Sequence, residues 1–393
     1  MIKNIIILIF LVSLYDSAPG QSQSEFLRQV SENNPEIQAF RKLLEARKLE
    51  ARTGLTPSDP FISAGFMPGN TEAIGTKKTW SVTQSFAFPT KYLLQKKINK
   101  NTIVLVEQEF NQVKLLTLLD AELSLYDLIY NVKALNVLRS RRGGYDKLKS
   151  AWGKMLDAGE TTVMDYNNIM LELSSVNLEI TRRDANIEMV REKLKYISGS
   201  DDSFSGLEEY PSFREIDPEI LIREKSVLHP AFLIPEIEYQ ISTQEVKLTR
   251  TGSLPEFQIG YAAEIIPGET YAGPVGGITI PLWANSNRIK TAMATADHSS
   301  ALRDAALLKL NSQFRNEFAN MKALQKNISE IRNILESGGG TRYLDIALSN
   351  GEISVTTYFL YLDVLFKSED RLLELENEYY KSLATLLDHE LIK

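Results

Sequence analysis

The stretch "LDAGETTVMDY" occupies Leu156–Tyr166, and "LSNGEISVTTY" occupies Leu348–Tyr358. Each carries Gly-Glu, a Val three residues after the Glu, and a closing Tyr. Gly159 and Gly351 lie 192 residues apart, as do Tyr166 and Tyr358. Glycine reaches positive φ without steric cost and so ends one helix. A Glu in the following first turn is favoured by the helix dipole. Each stretch therefore predicts a helix–turn–helix tip, written twice, half a chain length apart.

The repetition extends outward from the tips. Pro35 to Pro60 and Pro230 to Pro255 both span 25 residues, and Pro89 to Gly159 and Pro281 to Gly351 both span 70. Self-similarity of this kind marks a repeated unit. The spacing predicts an internal duplication, with repeats over 21–198 and 219–393. The polar, glycine- and serine-rich stretch "SGSDDSFSGLEEYPSF" (Ser198–Phe213) sits in the linker between them, 199–218.

Within each repeat the hydrophobic period changes twice. "NNPEIQAFRKLLEARKLEAR" (Asn33–Arg52) opens as a helix, with Asn34 as cap and Pro35 at the first helical position. Pro57 and Pro60 forbid its continuation. Residues 61–66 and 79–88 then alternate as strands, with Trp80, Val82, Phe86 and Phe88 on one side and Thr79, Ser81, Thr83 and Ser85 on the other. The second repeat offers Phe257, Ile259 and Tyr261, then Ile278, Ile280 and Leu282. Apolar-against-polar strands about 10 residues long are the pattern of an outer-membrane barrel. A hairpin laid on a soluble core is the alternative.

Beyond Pro89 the pattern is helical nearly to Gly159, some 65 residues or about 100 Å of helix. After the glycines, apolar residues recur in heptad steps: Tyr166, Met170, Leu173, Val176, Ile180 and onward, then Tyr358, Leu362, Leu365, Leu372, Leu375 and onward. Steps of three and four sustained over many turns mean long helices packed side by side. The fold class expected is thus mainly α with a small β part.

Composition narrows the function. The 393 residues include no cysteine, which excludes a disulfide framework and a lipid-bearing cysteine. A net charge of −7, without a clustered basic block, argues against nucleic acid as a partner. Lys3, the apolar run "IIILIFLVSL" (Ile5–Leu14) and "SAPGQSQ" read as a signal peptide over 1–20, with a buried N-terminal helix as the alternative. Ten apolar residues are too few for a bilayer span of about 20. No later segment is of spanning length, so any insertion must use strands. Four strands cannot close a barrel, because the smallest have about eight. Insertion therefore requires an oligomer.

Six stretches together carry a family likeness: "NNPEIQAFRKLLEARK", "TQSFAFPTKYLLQKK", "AGETTVMDY", "HPAFLIPEIEYQISTQEV", "ITIPLWANSNRIKTAMA" and "NGEISVTTYFLYLDVL". In order and spacing the chain resembles the outer-membrane efflux protein (TolC) family over nearly its whole mature length. The resemblance implies a homotrimer in the outer membrane, its four strands per protomer completing a 12-stranded β-barrel continuous with a periplasmic α-helical barrel. It implies an exit duct for a tripartite efflux or type I secretion system, with a periplasmic adaptor (membrane fusion) protein and an inner-membrane pump as partners. On this reading Gly159, Glu160, Gly351 and Glu352 form the adaptor-docking tips, and Asp165 and Glu352 line the entrance. Trp80, Val82, Phe86, Phe88, Ile278, Ile280 and Leu282 face lipid. For Glu160 and Glu352, a plain helix-dipole role stays open beside the entrance role.

The chain departs from the family pattern in places. Where family entrances carry acidic residues six and nine positions after the second tip glycine, this chain has Thr357 and Leu360. Gly143–Gly144 and Gly338–Gly340 fall inside the expected long helices, where each Gly costs about 1 kcal/mol relative to Ala, so a kink, a taper or a break is expected at both. Pro235 is expected to interrupt the helix begun at Pro230. His298 and His389 are placed on polar helical faces, and His229 precedes a helix-starting Pro. Trp80 and Trp283 suit interfacial belts or ordinary core positions. The cations that follow the strands, such as Lys91, Lys96 and Arg288, suit a membrane surface or a solvated helix. No catalytic triad, phosphate loop, metal cluster or paired carboxylates can be argued, so no enzyme activity, cofactor or metal site is expected. A structural or adhesive coiled-coil protein of the envelope is the alternative to a duct.

Overall fold

A computed structural model describes residues 23–71, 74–200, 209–213, 216–283, 287–338 and 340–393. The expected signal peptide (1–20) lies outside them, as do 201–208 of the expected linker. The first run of elements is α1 (Gln23–Asn33), α2 (Pro35–Glu50), β1 (Phe61–Pro68), β2 (Thr76–Phe86), α3 (Pro89–Asp157) and α4 (Val163–Ser198). The second is α5 (Pro218–Leu228), α6 (Pro230–Thr251), β3 (Glu256–Ile266), β4 (Glu269–Thr279), α7 (Arg288–Ser337), α8 (Arg342–Ser349) and α9 (Val355–Leu387). A short 3-10 helix, Asp388–Ile392, follows.

The chain divides into two compact units. One gathers α1 residues with 121–212 and 341–373; the other gathers 32–120, 213–340 and 374–393.

The second of these units holds the sheet. Its four strands are antiparallel in the order β1-β2-β3-β4, so β1 and β4 are edges. Asn34 caps α2 as its sequence context predicts: Oδ1 accepts from the Glu36 and Ile37 amides at 2.9 and 3.0 Å. Along α7, Phe314, Met321, Leu324 and Ile328 are buried at helical spacing, and α6 packs on the same helix. Pro235 does not interrupt α6, which runs unbroken through it. As the sixth helical residue it forfeits a single backbone bond, to the Ala231 carbonyl, close to the end where donors are unpaired anyway.

The other unit packs the tip-proximal helices. Leu173, Ile180, Ile187 and Leu194, at steps of seven, are all buried along α4. Tyr145, Leu173, Tyr358 and Leu362 form a core cluster that joins α3, α4 and α9. α3 continues through Gly143–Gly144, so the break, one of the outcomes expected there, does not occur. Flanking Arg141 and Tyr145 are both buried, and their packing outweighs a propensity cost of about 1 kcal/mol per glycine. The second cluster behaves differently. α7 stops at Ser337, the Gly338 amide closes on the Ile334 carbonyl, and Gly340 takes φ +58° before α8 begins.

His389 is also not where its pattern places it. It is fully buried rather than on a polar face, with Nε2 3.3 Å from Glu224 Oε2. Neighbouring Asp388 binds Lys225 at 2.9 Å and His229 at 3.2 Å. His229 Nδ1 accepts the Ala231 amide, so its proton sits on Nε2 and points to Asp388. Burial pushes the His389 pKa below its ordinary 6.5; the Glu224 hydrogen bond opposes this, and Lys393 and Lys225 reinforce it. Near pH 6 the unfolded chain therefore binds more protons than the folded one, and stability falls as pH drops through 6.5. Lowering pH from about 7.5 to about 5.5 should lower Tm, and His389→Phe should flatten that dependence. An unchanged pH dependence in the variant would place the sensitivity elsewhere.

Candidate functional site

The two tips share their hydrogen bonds one for one. Gly159 and Gly351 have φ of +75° and +73°. The Gly159 amide bonds to the Leu156 carbonyl and the Glu160 amide to the Met155 carbonyl, at 3.0 and 2.8 Å. In the second tip the Gly351 amide reaches Leu348 and the Glu352 amide reaches Ala347, at 3.1 and 2.9 Å. This pairing is the closure that lets a left-handed glycine satisfy a helix's last carbonyls. Thr162 Oγ1 then accepts from the Asp165 amide, and Ser354 Oγ from the Thr357 amide, both at 3.1 Å. Each of these backbone and capping bonds has its counterpart 192 residues on.

The cap accounts for the first role of Asp165. Its carboxylate accepts the Thr162 hydroxyl at 2.6 Å. At the matching position Thr357 and Ser354 join hydroxyl to hydroxyl at 2.9 Å. Glu352 accepts from Asn350 Nδ2 at 3.1 Å, and Glu160 and Glu352 are both exposed.

Behind the tips stands a polar centre that the sequence reading passed over. Arg141 is buried, yet binds Glu369 at 3.0 Å, Asp370 at 2.9 Å and the Phe366 carbonyl at 3.0 Å. Its guanidinium also lies 4.2 Å from the centre of the Phe366 ring. The Tyr358 hydroxyl donates to Asp345 at 2.8 Å. Burial pushes the Tyr358 phenol up, and the Asp345 bond adds to it; burial also pushes Tyr145 up, so both stay protonated. A signal for Arg141 was present. Ala134, Leu138, Arg141, Tyr145, Leu148 and Trp152 advance by threes and fours, so Arg141 stands where the core stripe calls for an apolar side chain.

The sheet separates its faces by chemistry. Register puts Trp80 opposite Ala64 and Ala263, Val82 opposite Ile62 and Tyr261, Phe86 opposite Phe257, and Ile278 opposite Phe257. These residues share one face, where Trp80 stacks on Tyr261 at 5.9 Å between ring centres. Thr79, Ser81, Thr83, Ser85, Gln258 and Glu264 occupy the other. There Ser63 bonds Ser81 at 2.8 Å, Gln258 bonds Thr83 at 3.0 Å, and Lys77 pairs with Glu264 at 2.6 Å. Phe88, Ile280 and Leu282, expected on strands, lie past the ends of β2 and β4. Pro89 and Pro281 explain this, since a residue without an amide hydrogen cannot extend a ladder. Phe88 still approaches Phe257, with ring centres 6.4 Å apart. Trp283 is 83% exposed. No helix among the described residues is long and apolar enough to cross a membrane.

No protein-family profile matches the chain, and no curated protein matches it by sequence. Solved structures do. A membrane protein from Pseudomonas aeruginosa superimposes with TM-score 0.78 at 13% identity, covering 93% of this chain and 89% of that one. The open state of the Neisseria gonorrhoeae MtrE outer membrane channel gives 0.74 at 11%, over 94% of this chain and 88% of that one. The Campylobacter jejuni CmeC outer membrane channel gives 0.70 at 14%, over 93% and 85%. The chain has the fold of these outer-membrane channels, which is the fold its resemblance to the TolC family led us to expect.

The turn geometry makes a local prediction. A valine at φ near +75° is strained, although nothing lies within 4 Å of where a Cβ would stand at either tip. Gly159→Val should therefore raise deuterium uptake across 155–166, and Gly351→Val across 347–358, without changing uptake in the sheet. Protection equal to wild type in both tips would mean the left-handed turn is dispensable.

Proposed function

We propose that this chain is the protomer of an outer-membrane exit duct of the TolC family, conducting substrate passively for an inner-membrane pump. One observation carries the reading: an open four-stranded sheet, apolar on one face and polar on the other, within the fold of outer-membrane channels. In lipid, unpaired backbone groups at the β1 and β4 edges would each cost several kcal/mol. Joining β4 of one protomer to β1 of the next removes the edges, and three copies make twelve strands. The apolar face, with Trp80, Val82, Phe86 and Ile278, then meets lipid, and the threonine–serine face lines water.

The helices supply a second argument for association. Met164, Leu171 and Leu178 repeat every seven residues along α4 and are 75%, 69% and 71% exposed. A heptad seam of this kind is built to be covered by another helix. In this reading a helix of a neighbouring protomer covers it.

We assign Gly159–Glu160 and Gly351–Glu352 to docking of a periplasmic adaptor, and Glu352 and Asp165 to the entrance, Asp165 alongside its capping role. Two tips per protomer give six around the trimer. The 1–20 segment would direct export and be removed, and the two repeats would descend from one duplicated unit.

Three experiments test this reading. Reconstituted in planar bilayers, the purified assembly should conduct as a single, water-filled pore; a sealed bilayer would favour a structural coiled-coil role instead. Val82→Arg should reduce assembled protein, by up to about 2–4 kcal/mol near the membrane midplane, while Thr83→Arg should be mild. Equal losses at the two neighbouring positions would contradict the assignment of faces. For the tips, the double variant Gly159→Val/Gly351→Val should assemble and conduct, yet lose crosslinking to the adaptor.

A further inference from the structure

Three lysines on the first turns of α3 have no partner. Lys96, Lys97 and Lys100 are exposed, and their ammonium groups make no ion pair or hydrogen bond among the described residues. From Pro89 to Val106 the helix holds no acidic residue, and the first, Glu107, is bound by Lys48 at 3.0 Å. On α2, whose end packs beside them, Glu45 and Glu50 pair with Lys48 and Arg47. Lys91, closer to the sheet, is matched by Glu256 at 3.8 Å. The positive charge of the three lysines is left unmatched.

The rotation of α3 decides which way they point. Ile98 and Asn99 are buried, and Asn99 Nδ2 donates to the Thr53 carbonyl, just past α2, at 3.0 Å. That contact fixes the inner face of the helix. Leu93 is 69% exposed on the opposite face. Lys96, Lys97 and Lys100 follow it by three, four and seven residues, the spacing of one helical stripe. Leu93 also lines an apolar recess with Phe86, Ala87, Pro89, Tyr92 and Phe257. Phe86 and Phe257 are paired on the apolar face of the sheet. The Tyr92 hydroxyl accepts the Ala87 amide at 3.2 Å, which ties the strand end to the helix start. The lysine stripe therefore continues the apolar face downward, about 4.5–10.5 Å beyond Leu93 along the helix. β2 and β3 are the inner strands, so recess and stripe lie away from the open edges at β1 and β4.

We propose that Lys96, Lys97 and Lys100 bind the headgroups of anionic phospholipids in the periplasmic leaflet, whose acyl chains lie against Leu93 and the apolar sheet face. The inference rests on the outer-membrane reading above and adds a lipid class to it. Lysine suits the position, because its methylene stem lies along apolar surface while the ammonium stays with phosphate and water. Lysines clustered just outside a membrane-embedded segment attract anionic lipid, each by about fivefold.

The test is native mass spectrometry of the delipidated assembly in mild detergent, titrated with phosphatidylglycerol or with phosphatidylcholine of the same chain length. Phosphatidylglycerol should be retained about fivefold more than phosphatidylcholine at equal lipid concentration. Lys96→Gln/Lys97→Gln/Lys100→Gln should bring the ratio close to one, and the corresponding triple Arg variant should keep it. Lys147→Gln/Lys149→Gln/Lys154→Gln, which removes as many charges beside the first tip, should leave the preference unchanged. Equal retention of the two lipids by wild type overturns the proposal. So does a preference that survives the first triple Gln variant, or one that the tip variant lowers equally. Planar-bilayer conductance of the same preparation separates the two readings. An assembly that conducts without preferring phosphatidylglycerol loses the lipid site alone. One that neither conducts nor enters vesicles loses the duct reading, and the lipid site with it.

Discussion

Backbone amides and carbonyls must be paired wherever water cannot reach them, and in this chain that requirement falls on the outer edges of β1 and β4. The sheet is open within a single chain. Its apolar face is not covered by a hairpin core of the usual kind, for Ile62, Phe66 and Ile259 remain 72%, 67% and 59% exposed. An open edge and an exposed apolar face on one small sheet are each unfavourable in water. In a bilayer the face is at ease and the edge is the problem, and a closed ring of copies answers both. The oligomer, the membrane and the polar lumen in this account all follow from that single requirement.

The helical part is organised around two left-handed glycines. Each returns the chain on itself, and each is backed by a hydroxyl cap that starts the next helix. The backbone and capping bonds of the two tips agree one for one, although only Leu, Gly, Glu, Val and Tyr are shared between the stretches around them. Asp165 and Thr357 differ in charge yet perform the same capping task, the first as a carboxylate and the second as a hydroxyl. Difference of charge at equal geometry is where two otherwise matching tips would differ in what they present to a partner.

Much of this was legible in the residues. Tip turns, the Asn34 cap and the strand faces are written in local chemistry, in a glycine at a helix end, a side-chain oxygen before a proline and the alternation of "TWSVTQSF", interrupted at Gln84. What could not be read depended on distant packing. Gly143–Gly144 looks like Gly338–Gly340 in propensity, but buried Arg141 and Tyr145 hold the helix through the first pair. Pro235 looked disruptive, yet at the sixth position of a helix it costs far less than in the middle. Arg141 escaped notice because its partners, Glu369 and Asp370, lie more than 220 residues away. His389 appeared to lie on a polar face because charged neighbours at Asp388 and Glu390 surround it in sequence, while the fold turns it inward.

The copy number of the membrane-extracted protein bears most directly on the central claim. Native mass spectrometry in mild detergent, with collisional release from the micelle, counts the chains without a shape assumption. The account predicts three copies of the mature chain and no folded single copy, because each edge strand needs a neighbour. A stable folded monomer that keeps its strands protected from deuterium exchange would contradict it.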